Sequence, residues 1–148
     1  MSLEIDVMSH LKEAMKAKNE AMLRGLRAIK AEIIKAKTEP GFSGELSSEA
    51  EIKLLQRLVK QRQDSLSIFQ NQNRPDLALK EQEELDLINQ FLPAQLNETE
   101  IKTVLQQLQT ELGFIQKSDM GKLIGAANKK LAGKAAGNVI AQVAQSLF

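Results

Sequence analysis

The chain of 148 residues contains no Cys, no Trp, no Tyr and a single His, and its formal net charge is +1. These counts exclude a disulfide framework, thiolate metal sites and thiol catalysis, and one His cannot build a zinc site alone. The only aromatic residues besides His are five Phe, so nucleic-acid binding by base stacking would have few platforms. The hydrophobic share of 43% is ordinary for a globular protein.

The beginning of the chain gives an expectation about its compartment. Residues 2–6 include Glu4 and Asp6 and are not an apolar run, which argues against a secretory signal. No segment approaches the ~20 apolar residues that a membrane helix needs. We therefore expect a cytoplasmic protein with no membrane partner.

The composition favours helices over strands. Val and Thr, which favour strands, number only five and four. The three Pro residues, at positions 40, 75 and 93, each fall between segments with helical periodicity. The sequence therefore predicts an all-α protein.

Apolar residues recur at helical spacing through residues 1–93 and predict four helices there. The first helix spans about residues 2–18, with an apolar line of Met8, Leu11 and Met15. Asn19 is expected to cap the second helix, because its side chain can accept a hydrogen bond from a free N–H. The second helix carries the apolar stripe Met22, Leu26, Ile29 and Ile33.

The third and fourth helices follow a break at Pro40 and Gly41. Ser48 is expected to cap the third helix, with Glu51 completing a capping box. Asn73 is expected to cap the fourth helix, with Pro75 in its first turn. The acidic residues of the fourth helix are expected to form a solvated face: Glu81, Glu83, Glu84 and Asp86.

Three further helices are predicted in residues 94–148. Asn97 with Glu100 forms a capping box for the fifth helix, and Gly113 ends it. The sixth helix begins near Asp119 and is closed by Gly133, and the seventh follows. The predicted architecture is two small helical bundles, one of four helices in residues 1–93 and one of three in residues 94–148.

The end of the chain carries basic residues and no acidic ones. No Asp or Glu follows Asp119, whereas four lysines do: Lys122, Lys129, Lys130 and Lys134. One hypothesis is that they are solubilising side chains on a small bundle. The other is that they contact phosphates, since Lys134 precedes a helix start that can help to bind an oxyanion.

Motifs for catalysis, metals or nucleotides are missing from the sequence. There is no Walker-type loop, no GxGxxG after a strand and no GxSxG elbow. Two GxxxG matches, at residues 121–125 and 133–137, are expected to reflect close helix packing or turn geometry. His10 has no ligand partner in sequence and is expected at the surface or a rim. We therefore expect no catalytic residues, no metal and no cofactor.

Several stretches together resemble the YqeY family, also called GatB/YqeY-domain proteins. They are Leu26–Ile33, Lys60–Ser65, Arg74–Leu77, Glu81–Glu84, Phe91–Leu96 and Met120–Lys122. The resemblance covers nearly the whole chain at the expected spacings. It implies an all-helical fold of two bundles, with four helices and then three.

The last loop departs from the pattern of the family. Where the family has Gly-Arg-Ala-Asp-Gly, this chain has Gly133-Lys-Ala-Ala-Gly137. Lys134 keeps the charge but loses the bidentate fork of Arg. Ala136 replaces an acidic residue suited to capping the last helix, and Asn138 is expected to substitute with a shifted start.

The resemblance also implies a function. A similar module forms the tail of the B subunit of the tRNA-dependent amidotransferase, where it is associated with holding tRNA. The leading hypothesis is therefore a non-catalytic accessory module that binds tRNA by phosphate and shape contacts through the four C-terminal lysines.

Two alternatives remain. One is a protein–protein adaptor for amidotransferase or synthetase components. In that case Phe42 and Phe114, which lie in apparent loops, would contact the partner. The family label of carbon–nitrogen ligase with glutamine as amido donor implies an enzyme, but no set of residues in this sequence supplies a nucleophile, a base and an orienting group.

Overall fold

The computed structural model describes residues 2–148 and confirms the all-α prediction, since no strand occurs in that range. The chain forms seven α-helices and one short 3₁₀ helix in residues 2–148. The α-helices are α1 (Leu3–Ala17), α2 (Glu20–Lys37), α3 (Ser48–Asn71), α4 (Pro75–Asn89), α5 (Glu98–Leu112), α6 (Met120–Lys130) and α7 (Gly137–Gln145). The 3₁₀ helix, Lys117–Asp119, leads directly into α6.

These elements belong to two compact units, one ending at Leu92 and the other spanning residues 93–148. The first unit holds α1 to α4 around one apolar core, and the second holds α5 to α7 around another. That each unit folds as an independent domain stays a prediction.

In the first unit, α1 and α2 form an antiparallel hairpin. Lys18 takes a left-handed conformation, with φ of 55°, and ends α1. Asn19 then caps α2 as predicted, because its Oδ1 accepts a hydrogen bond from the N–H of Met22. At the open end of the hairpin, Lys37 forms an ion pair with Glu4. The two ends together set the register of the hairpin.

The predicted apolar line of α1 is wrong at two of its three positions. Leu11 is buried, but Met8 and Met15 are exposed. The face of α1 that packs into the core consists of Leu3, Val7, Leu11 and Ala14. Both lines contain Leu11 and both have helical spacing, so only the packing against α2 selects between them.

The starts of α3 and α4 also differ from the prediction. Ser47, not Ser48, caps α3, and its hydroxyl accepts a hydrogen bond from the N–H of Ala50. Glu51 forms no capping box; its carboxylate instead accepts a hydrogen bond from the N–H of Leu3 in the first turn of α1. Asn73 has a φ of 56° and lies in the turn before α4, so it is not the cap.

The contact between α2 and α4 is close because Gly25 faces Leu87. Both residues are buried. A Cβ placed on Gly25 would overlap Leu87 Cδ2 and lie 3.2 Å from Leu87 Cγ and 3.3 Å from Leu87 Cβ. The missing side chain of Gly25 therefore allows the isobutyl group of Leu87 to reach the backbone of α2.

The second unit begins with the predicted capping box. Asn97 accepts a hydrogen bond from the N–H of Glu100, and the Glu100 carboxylate accepts one from the N–H of Asn97. Gly113, with φ of 70°, ends α5 as predicted. Apolar residues from all three helices fill the core, including Ile101, Leu105, Leu123, Ala127, Ile140 and Ala144.

Candidate nucleic-acid interface

The four lysines singled out in the sequence lie on one helix and the turn that follows it. Lys122, Lys129 and Lys130 are on α6, and Lys134 lies between α6 and α7. All four side chains are exposed. At 3.6 residues per turn, Lys122 and Lys129 share a face of α6, whereas Lys130 is turned about 100° from Lys129. The lysines thus cover one side and the end of α6.

The turn that carries Lys134 is held by hydrogen bonds to its backbone. Gly133 adopts a φ of 77°, a left-handed conformation that favours glycine. Its carbonyl accepts a hydrogen bond from Gln95 Nε2 at 2.7 Å. The Lys134 carbonyl accepts one from the N–H of Leu96 at 2.9 Å. The backbone of Lys134 is therefore fixed, while its side chain extends into solvent.

None of these lysines forms an ion pair within residues 2–148, where every ion pair of 4 Å or less involves other cations. The nearest acid before them in sequence, Asp119, accepts a hydrogen bond from the N–H of Gln116. The four ammonium groups are thus available to a ligand. Lys129 and Lys130 also stabilise α6 from its last turn, where cations interact favourably with the helix dipole.

Glycines of α6 lie on the surface rather than in a helix contact. A Cβ added to Gly121 or Gly125 would meet no atom within 4 Å. The expectation that this GxxxG match reflects close packing is therefore wrong, because neither glycine packs against another helix of the described residues. In the second match, the left-handed φ of Gly133 confirms turn geometry at its first position.

The start of α7 lacks a side-chain cap. Ala136 occupies the N-cap position in an extended conformation, and no side chain accepts a hydrogen bond there. Asn138 lies inside the helix, which begins at Gly137. The expectation that Asn138 substitutes as the cap is therefore wrong.

The acidic residues of α4 do not form the solvated face that the sequence predicts. Glu81, Glu83 and Glu84 are half-buried, and only Asp86 is exposed. The three glutamates instead pair with arginines of other helices, Arg24 on α2 and Arg62 on α3.

Two short distances define this ion-pair cluster. Arg24 Nη2 lies 2.8 Å from Glu83 Oε2, and Arg62 Nε lies 3.0 Å from Glu84 Oε2. The Nε atoms of both arginines are buried, and their contacts are ionic rather than well-aligned hydrogen bonds. The cluster joins three helices of the first unit, a role that no local pattern reveals.

Glu81 is the carboxylate of this cluster with the clearest change in acidity. Burial raises the pKa of the Glu81 carboxyl, the nearby charge of Arg62 lowers it, and the charge of Glu84 raises it. The net direction is upward. Since its neighbours belong to the structural ion pairs described above, the raised pKa reflects the burial of a carboxylate whose pairing with Arg62 is loose, at 3.9 Å.

The first unit contains a shallow cleft of about 440 Å³ between the end of α3 and the start of α4. Its one charged lining residue, Arg74, is already engaged by Asp76 through Nε and Nη2 at 3.2 and 3.1 Å. These hydrogen bonds lower the pKa of Asp76. The cleft therefore offers no free charge to a ligand.

His10, Phe42 and Phe114 are all partly buried. His10 is partly exposed and packs edge-on against Phe91, at a ring-centroid distance of 5.2 Å, which confirms a rim position. Phe42 is half-buried, and Phe114 packs against the core of the second unit.

In residues 2–148, no group of three or more His, Cys, Asp or Glu is arranged to hold a metal. No helix in that range is long and apolar enough to span a membrane.

Two curated proteins are similar to this chain over most of its length, and both carry the name "Altered inheritance of mitochondria protein 41, mitochondrial". The protein from Pyrenophora tritici-repentis is 32% identical over 140 residues, which cover 93% of this chain and 66% of that protein. The protein from Clavispora lusitaniae is 35% identical over 133 residues, which cover 88% of this chain and 72% of that protein. The chain thus matches just under two thirds of the first relative and somewhat more of the second.

These names contradict the expectation of a cytoplasmic protein. Both relatives are named as mitochondrial, which points to mitochondria rather than the cytoplasm. The physical reason for the error is that a folded helical bundle does not encode its compartment. Targeting segments are separate from the fold, so the acidic residues near the start of the sequence do not determine the compartment.

The family model of the YqeY-like proteins matches residues 5–148, which include all of the helices from α2 to α7 and nearly all of α1. The resemblance inferred from the central motifs is thereby confirmed. The chain belongs to the YqeY-like protein family.

Proposed function

We propose that this protein is an accessory module that binds tRNA through the backbone phosphates and does not itself perform amidotransferase chemistry. The observation that carries the proposal is the set of four exposed lysines on α6 and the following turn, none of them paired with an acid in residues 2–148. Phosphate contacts of this kind supply affinity and position without reading the base sequence.

The surroundings of the lysines favour a phosphate backbone over other anions. Gly121 and Gly125 are exposed and have no side chains beside Lys122 and Lys129, so an extended ligand can approach both ammonium groups. Lys134 precedes the start of α7, where no side chain caps the first N–H groups. A helix start of this kind attracts phosphate.

Shape and charge would carry recognition, because the chain offers few aromatic platforms. Its five Phe are the only aromatic residues besides His, and Phe114, the one nearest α6 in sequence, packs against the core. Stacking on unpaired bases is therefore a minor contribution. The mitochondrial names of the two relatives support mitochondria as the place where the module acts.

A binding titration tests the proposal. Unfractionated tRNA is titrated with the wild-type chain, with K129E/K130E/K134E, and with K35E/K53E/K80E, in which three exposed lysines of the first unit are reversed. We expect the first variant to lose at least about tenfold in affinity and the second to lose much less. Equal losses in the two variants would indicate only an effect of net charge and would refute the assignment.

A further inference from the structure

The first unit exposes large apolar side chains in a regular pattern on α1 and α2. Ile5, Met8 and Met15 of α1 are 56%, 40% and 55% exposed, and Ile34 of α2 is 51% exposed. Ile5, Met8 and Met15 share one helix seam with Lys12, because positions 5, 8, 12 and 15 follow the alternating spacing of three and four. We call Ile5, Met8, Met15 and Ile34 the outer stripe.

The register of the hairpin places Ile34 beside the seam of α1. The Lys37–Glu4 ion pair joins the last turn of α2 to the first turn of α1. Because α1 ends at Ala17 and α2 begins at Glu20, Ile34 lies near the level of the first turn of α1, which carries Ile5. The outer stripe thus spans the junction of two helices, a surface into which a third helix can pack.

Most of the free charges around the outer stripe are basic, although Glu20 of α2 is also exposed and forms no ion pair within residues 2–148. Lys12, Lys16, Arg27 and Lys30 are exposed and form no ion pair within residues 2–148. Of the acids at the start of α1, Glu4 pairs with Lys37, and the Asp6 carboxylate lies 3.4 Å from His10 Nδ1. The remaining acid of α1, Glu13, is turned about 100° around the helix from Lys12.

We propose that the outer stripe binds an acidic amphipathic helix of a partner protein. The apolar face of that helix would pack on the stripe, and its flanking carboxylates would pair with Lys12, Lys16 and Lys30. Recognition of this type reads apolar anchors at spacings of three and four residues. The two methionines suit it, because their flexible thioether side chains adapt to the shape of a partner.

Two other occupants fit the stripe less well. In a symmetric pair of this chain, the basic rims of both copies would meet. A lipid surface prefers Trp, Phe and Leu among its inserted residues, and the stripe has none.

Designed peptides provide the test. An acidic helical peptide with Leu at the a and d heptad positions and Glu at e and g is labelled and titrated with the full chain. The comparison peptide has Lys at e and g. We expect the acidic peptide to bind at least about tenfold more tightly than the basic one. The variant M8E/M15E should lose that binding, whereas I68E/L79E, which places the same charges at equally exposed sites of α3 and α4, should retain it.

The neutral variant M8S/M15S replaces M8E/M15E in this test if M8E/M15E does not fold. Circular dichroism measures the helix content of both variants. Equal binding of the two peptides, or unchanged binding by M8E/M15E, would overturn the proposal. The proposal would also be overturned if the wild type formed dimers in light scattering, or sedimented with phosphatidylcholine–phosphatidylglycerol vesicles, and M8E/M15E abolished that association. The affinity of M8E/M15E for tRNA should equal that of the wild type, which separates this proposal from the function assigned to α6.

Discussion

The contact between Gly25 and Leu87 gives a prediction whose sign depends on the partner residue. Replacement of Gly25 by Ala places a Cβ where Leu87 Cδ2 lies, and 3.2 Å from Leu87 Cγ. Both residues are buried, and because protein interiors are closely packed, Leu87 can turn away only by displacing its neighbours in the core. The G25A variant should therefore be less stable than the wild type, although Ala is the better helix former.

The magnitude follows from two opposing effects. Overpacking a buried contact costs about 1–3 kcal/mol. Replacing Gly by Ala inside a helix gains about 1 kcal/mol. We expect a net loss of about 1 kcal/mol. The L87A variant lacks Cδ2 and Cγ and keeps only the Cβ contact at 3.3 Å, so in that background the change from Gly25 to Ala should instead stabilise the protein by up to about 1 kcal/mol. The coupling between the two positions is then up to about 2 kcal/mol.

Urea unfolding followed by circular dichroism at 222 nm measures these free energies, because the chain has no Trp or Tyr for fluorescence. The four members of the double-mutant cycle are compared. G125A is the control, since that glycine lies on a helix in open space, and it should stabilise the protein by about 1 kcal/mol. If G25A destabilised the L87A variant as much as the wild type, the steric explanation would be refuted.

Three other predictions concern the α7 cap and the ion-pair cluster. A136D should stabilise the second unit by about 1 kcal/mol in urea unfolding, because Asp can accept hydrogen bonds at the uncapped start of α7; no gain over A136L would contradict this. R62M should lower the free energy of unfolding by about 1–3 kcal/mol, because it leaves Glu81 and Glu84 half-buried without that cation. The double variant R62M/E84Q should recover part of this loss, and no recovery would contradict the pairing of Arg62 with Glu84. Burial raises the pKa of Glu81 in the folded state, so the unfolded chain loses this proton first as pH rises. The free energy of unfolding of the wild type, relative to that of E81Q, should therefore fall as the pH rises from the pKa of the unfolded carboxyl to that of the folded carboxyl, and then level off. Urea unfolding from acid to neutral pH measures this difference, and a constant difference would contradict the prediction.

Much of the helical architecture could be predicted because its signals are local. The stripe of α2, the Asn19 cap, the capping box of Asn97 and the Gly113 stop all depend on residues within a few positions of each other. The errors at the other starts arose where neighbours compete. Ser47 and Ser48 are equally suited to cap α3, and Asn73 can adopt the left-handed turn that precedes α4.

Features that depend on distant residues could not be predicted from the sequence. Glu83 and Glu84 have the composition of a solvated face until α2 and α3 bring Arg24 and Arg62 beside them. Met8 and Met15 lie outside the core because α2 packs on the neighbouring line of α1. By contrast, the four C-terminal lysines have no acid after Asp119 to pair with locally, and the structure shows all four exposed.

The dependence of tRNA affinity on salt tests the central proposal most directly. Each lysine that contacts a phosphate contributes roughly 0.7–0.9 to the slope of the logarithm of the binding constant against the logarithm of salt concentration. The variant K122Q/K129Q/K130Q/K134Q should therefore lower the magnitude of this slope by about 3. The control K16Q/K35Q/K53Q/K80Q removes the same charge from exposed sites of the first unit and should leave the slope nearly unchanged. Equal slopes for the wild type and the first variant would contradict the assignment of these lysines as the RNA-binding surface.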